Sequence, residues 1–148
     1  MGKLIVSKNI IDLLDRHNED LTKKWAKLVR NHPGTVNYQN YSEHKLFTRY
    51  RRVYLDLLKW LSEDLDDEGV ANLYTTLGKE RCLEGFKLSE VVQALLLIRR
   101  VLWFEIENES LMDTALELNL QIEMGDRVTA FFDRAIFYTA QGFESVAK

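Results

Sequence analysis

Breakers and cross-links are scarce in this 148-residue chain, and each scarcity closes off a class of folds. One proline, Pro33, and seven glycines leave long stretches free to be helical. An all-β fold, with its many tight turns, would need more of both. The lone cysteine, Cys82, excludes an intramolecular disulfide, and no paired Cys or Cys/His spacing marks structural zinc. Its isolation fits a reducing, cytoplasmic setting. No apolar run reaches the ~20 residues of a membrane-spanning helix. The most apolar stretch, 91–106, is broken by Arg99 and Arg100 and reads as a core helix. The start, Met1 to Val6, lacks the apolar run and cleavage site of a signal peptide. Walker, G-x-G-x-x-G, H-E-x-x-H and G-x-S-x-G signatures are all missing, so none of the usual enzyme chemistry is present to argue from.

What is present is helical periodicity and an uneven charge. Residues 1–60 carry twelve Lys/Arg against six Asp/Glu, and residues 61–148 carry eight against seventeen. The halves therefore attract each other within the fold or across a dimer, or the acidic half faces a basic partner. The cluster Arg49, Arg51, Arg52 reads as a solvated helix face near the acidic half. The chain as a whole lacks the basic excess of a nucleic-acid binder.

Apolar residues at three- and four-residue steps predict an all-α bundle of five to six helices, forming a single domain over 1–148. The first helix runs from an N-cap at Ser7 to Asn31, with a break expected at His17-Asn18 and a stop at Pro33. The second runs from Ser42 to about Leu65. The third follows the acidic turn 63–69 and ends at Gly85. The fourth opens at an N-cap, Ser89, and should be central, because 91–106 is apolar on nearly all sides. The last spans Asp113 to Val146, with Gly125 or Gly142 placed to bend or end it.

Candidate sites are few. Asp64 to Gly69 has the opening spacing of a calcium loop, but its twelfth position is Thr75 rather than glutamate, which favours an acidic turn and no metal. His44 is the residue that a phosphotransfer protein or a cofactor-binding globin would use. No small-residue environment follows it, and no histidine lies later in the chain to serve as a proximal haem ligand.

The block Leu77 to Val92 is the most distinctive. Its pattern L-G-x-x-R-x-x-x-G-F-x-L-x-E, with Arg99-Arg100-x-Leu102-Trp103 and Asp133-Arg134-Ala135 downstream, resembles the N-terminal domain of RsbRD-type proteins. These are the RsbT co-antagonists of bacterial stress signalling, and the domain also precedes histidine-kinase and other output modules. The resemblance implies an all-helical sensory module, globin-like without haem, non-catalytic, with no cofactor. It further implies a kinase or anti-sigma-factor-type partner. No output module follows Lys148, so the chain either acts alone or is a piece of a longer protein. Arg81 and Arg99 lie on or beside apolar stripes, so burial would require acids such as Glu84, either as a structural ion pair or as an anion-binding site. Finally, Phe131, Phe137 and Tyr138 belong to an aromatic crowd that covers more than one face of the last helix and predicts a homodimer interface there.

Overall fold

The computed structural model describes the backbone of residues 2–109 and 115–148, and the side chains of 11–108, 118–119 and 121–148. Among these residues the chain is all-α: α1 (Gly2–Asn31), a short 3-10 turn (Val36–Tyr38), α2 (Glu43–Leu61), α3 (Asp67–Leu83), α4 (Leu88–Glu109) and α5 (Ala115–Val146).

The caps explain where these helices begin and end. Ser42 accepts a hydrogen bond from the Lys45 amide at the start of α2, and Asp66 does the same for the Gly69 amide at the start of α3. The acidic turn thus supplies an N-cap. The exits of α2 and α3 share one geometry. Glu63 N–H donates to Trp60 O and Asp64 N–H to Lys59 O; Gly85 N–H donates to Cys82 O and Phe86 N–H to Arg81 O. Both are Schellman closures built on a left-handed residue, Glu63 at φ 63° and Gly85 at φ 90°. This closure ends α2 at Leu61, short of the expected Leu65. At the end of α1, Thr35 Oγ donates to Val29 O at 2.5 Å and His32 Nδ1 accepts from the Gly34 amide at 2.9 Å.

Several boundaries differ from expectation. Ser7 lies inside α1 rather than capping it, and α1 runs unbroken through His17 and Asn18. Ser89 lies inside α4. Glu90, two positions into that helix, accepts from the Lys87 amide just before it at 3.4 Å and ties α4 to the 3-10 turn, accepting from Asn37 N at 2.8 Å and Asn37 Nδ2 at 2.6 Å. The expected start of α5 at Asp113 lies outside the described residues.

The hub of the bundle is α5, which packs against all four other α-helices; α4 packs against α1, α3 and α5. The closest approach is α3 on α5. A Cβ on Gly78 would sit 2.0 Å from Thr139 O, and one on Gly142 would sit 2.0 Å from Thr75 O. Each glycine is a hole that receives the other helix's backbone. Gly125 serves similarly, with the Trp103 ring 2.4 Å from where its Cβ would be. Neither Gly125 nor Gly142 ends α5, which is continuous through both. Their missing side chains let the helices touch.

The core runs from Trp25 and Leu21 on α1, through Tyr50 and Leu57 on α2, to Phe131 and Phe132 on α5. Indole nitrogens join its edges. Trp25 Nε1 donates to Ala94 O at 3.1 Å and Trp60 Nε1 to Arg127 O at 3.0 Å, with Arg127 Nη2 returning a bond to Trp60 O at 2.8 Å.

Candidate functional site

The end of α3 and the middle of α2 face each other with matched spacing. Arg49 and Arg52 are three residues apart on α2, and Glu80 and Glu84 are four apart on α3, so each pair lies along one ridge of its helix. Arg49 forks both oxygens of the Glu84 carboxylate. Arg81 Nη1 reaches Glu84 Oε1 at 2.7 Å, and Tyr41 OH donates to Glu84 Oε2 at 3.2 Å. Arg52 Nη1 bonds Glu80 Oε2 at 2.9 Å. One carboxylate thus joins α2, α3 and the loop that follows the 3-10 turn. The Arg81 side chain is 6% exposed and the Glu84 side chain 30%, so the network is partly shielded from water. Burial and the Glu84 charge push the Tyr41 phenol above its ordinary range.

An open groove of about 600 Å³ lies over this network, bordered also by His44, Lys45 and the exposed Leu83. Four cations, Lys45, Arg49, Arg52 and Arg81, meet two carboxylates, so the groove is electropositive. Lys45 Nζ sits 4.4 Å from the centre of the Tyr41 ring, a cation–π contact. Beneath Arg49 and Arg81 a void of about 20 Å³ reaches toward Trp25 and Ile98.

Arg81 and Glu84 come together as their spacing suggested. Arg99 does not join them: its side chain is 36% exposed, and its acidic neighbour is Asp133 on α5 at 3.9 Å. The apolar stripe beside Arg99 faces the core, while its own long side chain reaches out along α5. The sequence reading missed Arg49 as a site residue by treating it as solvated; its side chain is 16% exposed. The signal was available in the match between the 49/52 and 80/84 pairs, but a pairing between helices needs the fold. His44 is exposed on the rim of the groove.

The aromatic residues of α5 separate. Phe131 is fully buried in its own chain, edge-on to Tyr74 and Phe132, and so cannot be an interface residue. Trp60 and Tyr74 supply the covering that a second chain was expected to provide. Tyr138 is half-buried against the core, while Phe137 is 55% exposed.

The family model described as the RsbT co-antagonist protein rsbRD N-terminal domain matches residues 19–147. No curated protein and no solved structure matches the chain.

Proposed function

The chain belongs to the RsbRD N-terminal domain family, and from that premise we propose that it is a non-catalytic signal-input or protein-interaction domain of bacterial stress or two-component signalling. Its partner would be an RsbT-type regulator, of the kinase or anti-sigma-factor kind. The observation that carries this reading is the Glu84 latch. A single carboxylate holds two arginines and a tyrosine from three parts of the fold, at the floor of an electropositive groove. A charged group entering the groove competes with Glu84 for Arg49 and Arg81. Release of Glu84 loosens α2 from the end of α3, and α3 is in backbone contact with α5, so the change reaches the longest helix. A twofold copy on the exposed Phe137 face of α5 would give that change a dimer to act on.

Binding of the chain to an RsbT-type regulator, followed by biolayer interferometry, tests the reading. Glu84→Gln and Arg49→Gln should each change the affinity about tenfold, against no change for Arg51→Gln on the solvated side of α2. Equal affinities across the three variants would remove the latch from the mechanism. The competing phosphotransfer reading places the chemistry on the exposed His44. Phosphate labelling from a phosphorylated response regulator that disappears in His44→Gln would establish it instead.

A further inference from the structure

Away from the charged face of α2, α1 and α4 run antiparallel. Two contacts fix that direction: Trp25 Nε1 donates to Ala94 O at 3.1 Å, and His17 Nδ1 lies 3.3 Å from Glu105 Oε1. Between the helices runs a groove of about 400 Å³. Its floor is apolar, made by Leu28, Val101 and Phe104; Phe104 is 56% exposed and Leu28 39%. Its borders are cationic, with Lys24 and Lys27 on α1 and Arg100 on α4, all exposed. No acid lies within ion-pair reach of these three among the described residues. The acid that lines the groove, Glu105, faces His17 at one end.

We propose that this groove docks an acidic amphipathic helix of a partner protein. An apolar floor between two helices takes the apolar stripe of a third, as helix-in-groove recognition does elsewhere. From Arg100 to Asn108 the α4 wall is about 12 Å long at 1.5 Å per residue, which matches two turns of a docked helix. Apolar side chains at i, i+3, i+4 and i+7 of the partner cover Leu28, Val101 and Phe104. Acids flanking that stripe reach Lys24 and Lys27 on one side and Arg100 on the other, so the charge pattern selects an acidic helix over a basic one. Phe104 and Leu28 are exposed together in one groove rather than scattered singly, and a polar rim around such a patch is the pattern of an interaction surface. The inference is independent of the α2–α3 groove, because it uses different helix faces and different residues.

The test is titration of the intact chain, followed by amide NMR, with a stapled peptide that carries leucines at i, i+3, i+4 and i+7 and glutamates beside them. Saturable shifts confined to 24–28 and 100–108 are expected. Binding should weaken at least about tenfold in a Lys24→Glu, Arg100→Glu double variant and also with added salt. Phe104→Ser removes a largely exposed ring, leaves the fold intact by circular dichroism, and should abolish the shifts. The same peptide with lysines in place of glutamates should not bind. Absence of saturable shifts, or equal binding by the double variant, overturns the proposal. Two other results also overturn it by assigning the face elsewhere. One is a homodimer lost in Phe104→Ser but retained in Phe137→Asp. The other is Arg100-dependent recruitment to phosphatidylglycerol vesicles with no peptide binding.

Discussion

Two ionisable residues show how neighbours set the worth of a side chain. Arg81 is almost fully enclosed and bonded to Glu84, whose own side chain keeps some contact with water. Removing the arginine leaves that carboxylate with Arg49 and Tyr41 only. Arg81→Ala should therefore cost about 2–4 kcal/mol, at or below the range for breaking a fully buried pair. Urea denaturation measures it, and an unchanged midpoint would show that the pair contributes no stability. Asp56 behaves differently. Burial raises its carboxyl above the ordinary 3.8, against the opposing Tyr74 hydrogen bond and the charges of Arg52 and Lys59. The folded state binds this proton more tightly than the unfolded state. The resulting stability is fully present below the unfolded pKa and is lost as pH rises through the raised folded pKa. The substitution Asp56→Asn keeps an acceptor for Tyr74 OH, now 3.0 Å from Asp56 Oδ2, without a group that titrates. Relative to that variant, the native chain should lose stability as pH rises above the ordinary carboxyl value of 3.8. Paired denaturation curves over that rise test the sign, and a native stability that increases relative to the variant as pH rises would refute it.

At the scale of elements, helix propensity and packing make opposite demands on the same residues. An alanine in place of a helical glycine gains about 1 kcal/mol in propensity alone. Gly78→Ala and Gly142→Ala should nevertheless lose about 3 kcal/mol each, since the new methyl meets a facing carbonyl at 2.0 Å and α3 must separate from α5. Thermal melts that rise instead of falling would mean the two helices are not in backbone contact. Glu63 presents the reverse case. It closes α2 at φ 63°, a conformation that costs an L-residue 1–2 kcal/mol by rough estimate. Gly85 closes α3 in the same way without that cost. Glu63→Gly should stabilise the chain by about 1 kcal/mol, after allowing for the extra freedom of glycine in the unfolded state. A lower melting temperature would show that the Glu63 side chain contributes more than its backbone conformation costs.

The whole molecule leaves apolar side chains on the outer face of α5: Leu118, Ile122 and Phe137 are 49%, 54% and 55% exposed. Thr129 and Asp133 separate them along the same exposed face. An interface through this face would be smaller and more polar than an aromatic cluster including Phe131 would have made. Sedimentation at micromolar concentration should show a dimer, and Phe137→Asp should convert it to monomer with an unchanged melting temperature. A monomeric native chain would end the dimer proposal. No helix among the described residues is long and apolar enough to cross a membrane. The arginines inside the 91–106 stretch divide accordingly: Arg100 is exposed beside the α1–α4 groove and Arg99 is half-exposed along α5.

Local chemistry decided much of this protein without help from the fold. Few breakers and a three-to-four-residue apolar rhythm specify an all-α chain, because those signals depend only on neighbours within two turns. Pro33, Ser42 and Gly85 mark helix ends for the same reason. The family pattern around Leu77 to Glu90 was legible as well; it includes Arg81, and Glu84 stands at a free position of it three residues later on the same helix end. Contacts between distant segments were left to the tertiary structure. Ser89 has good capping chemistry, yet α4 already begins at Leu88, and Glu90 beside it meets both the Lys87 amide and Asn37, fifty-three residues earlier. Phe131 and Phe137 look alike in sequence, but Trp60 and Tyr74 cover one and leave the other exposed. Gly142 could signal a helix end or a helix contact, and only the position of Thr75 on α3 decides for contact. Arg49 could be solvated or buried, and only its approach to Glu84 makes it part of the site. Periodicity records which faces turn inward; which partner each face meets depends on how the helices pack, and that is a property of the assembled bundle.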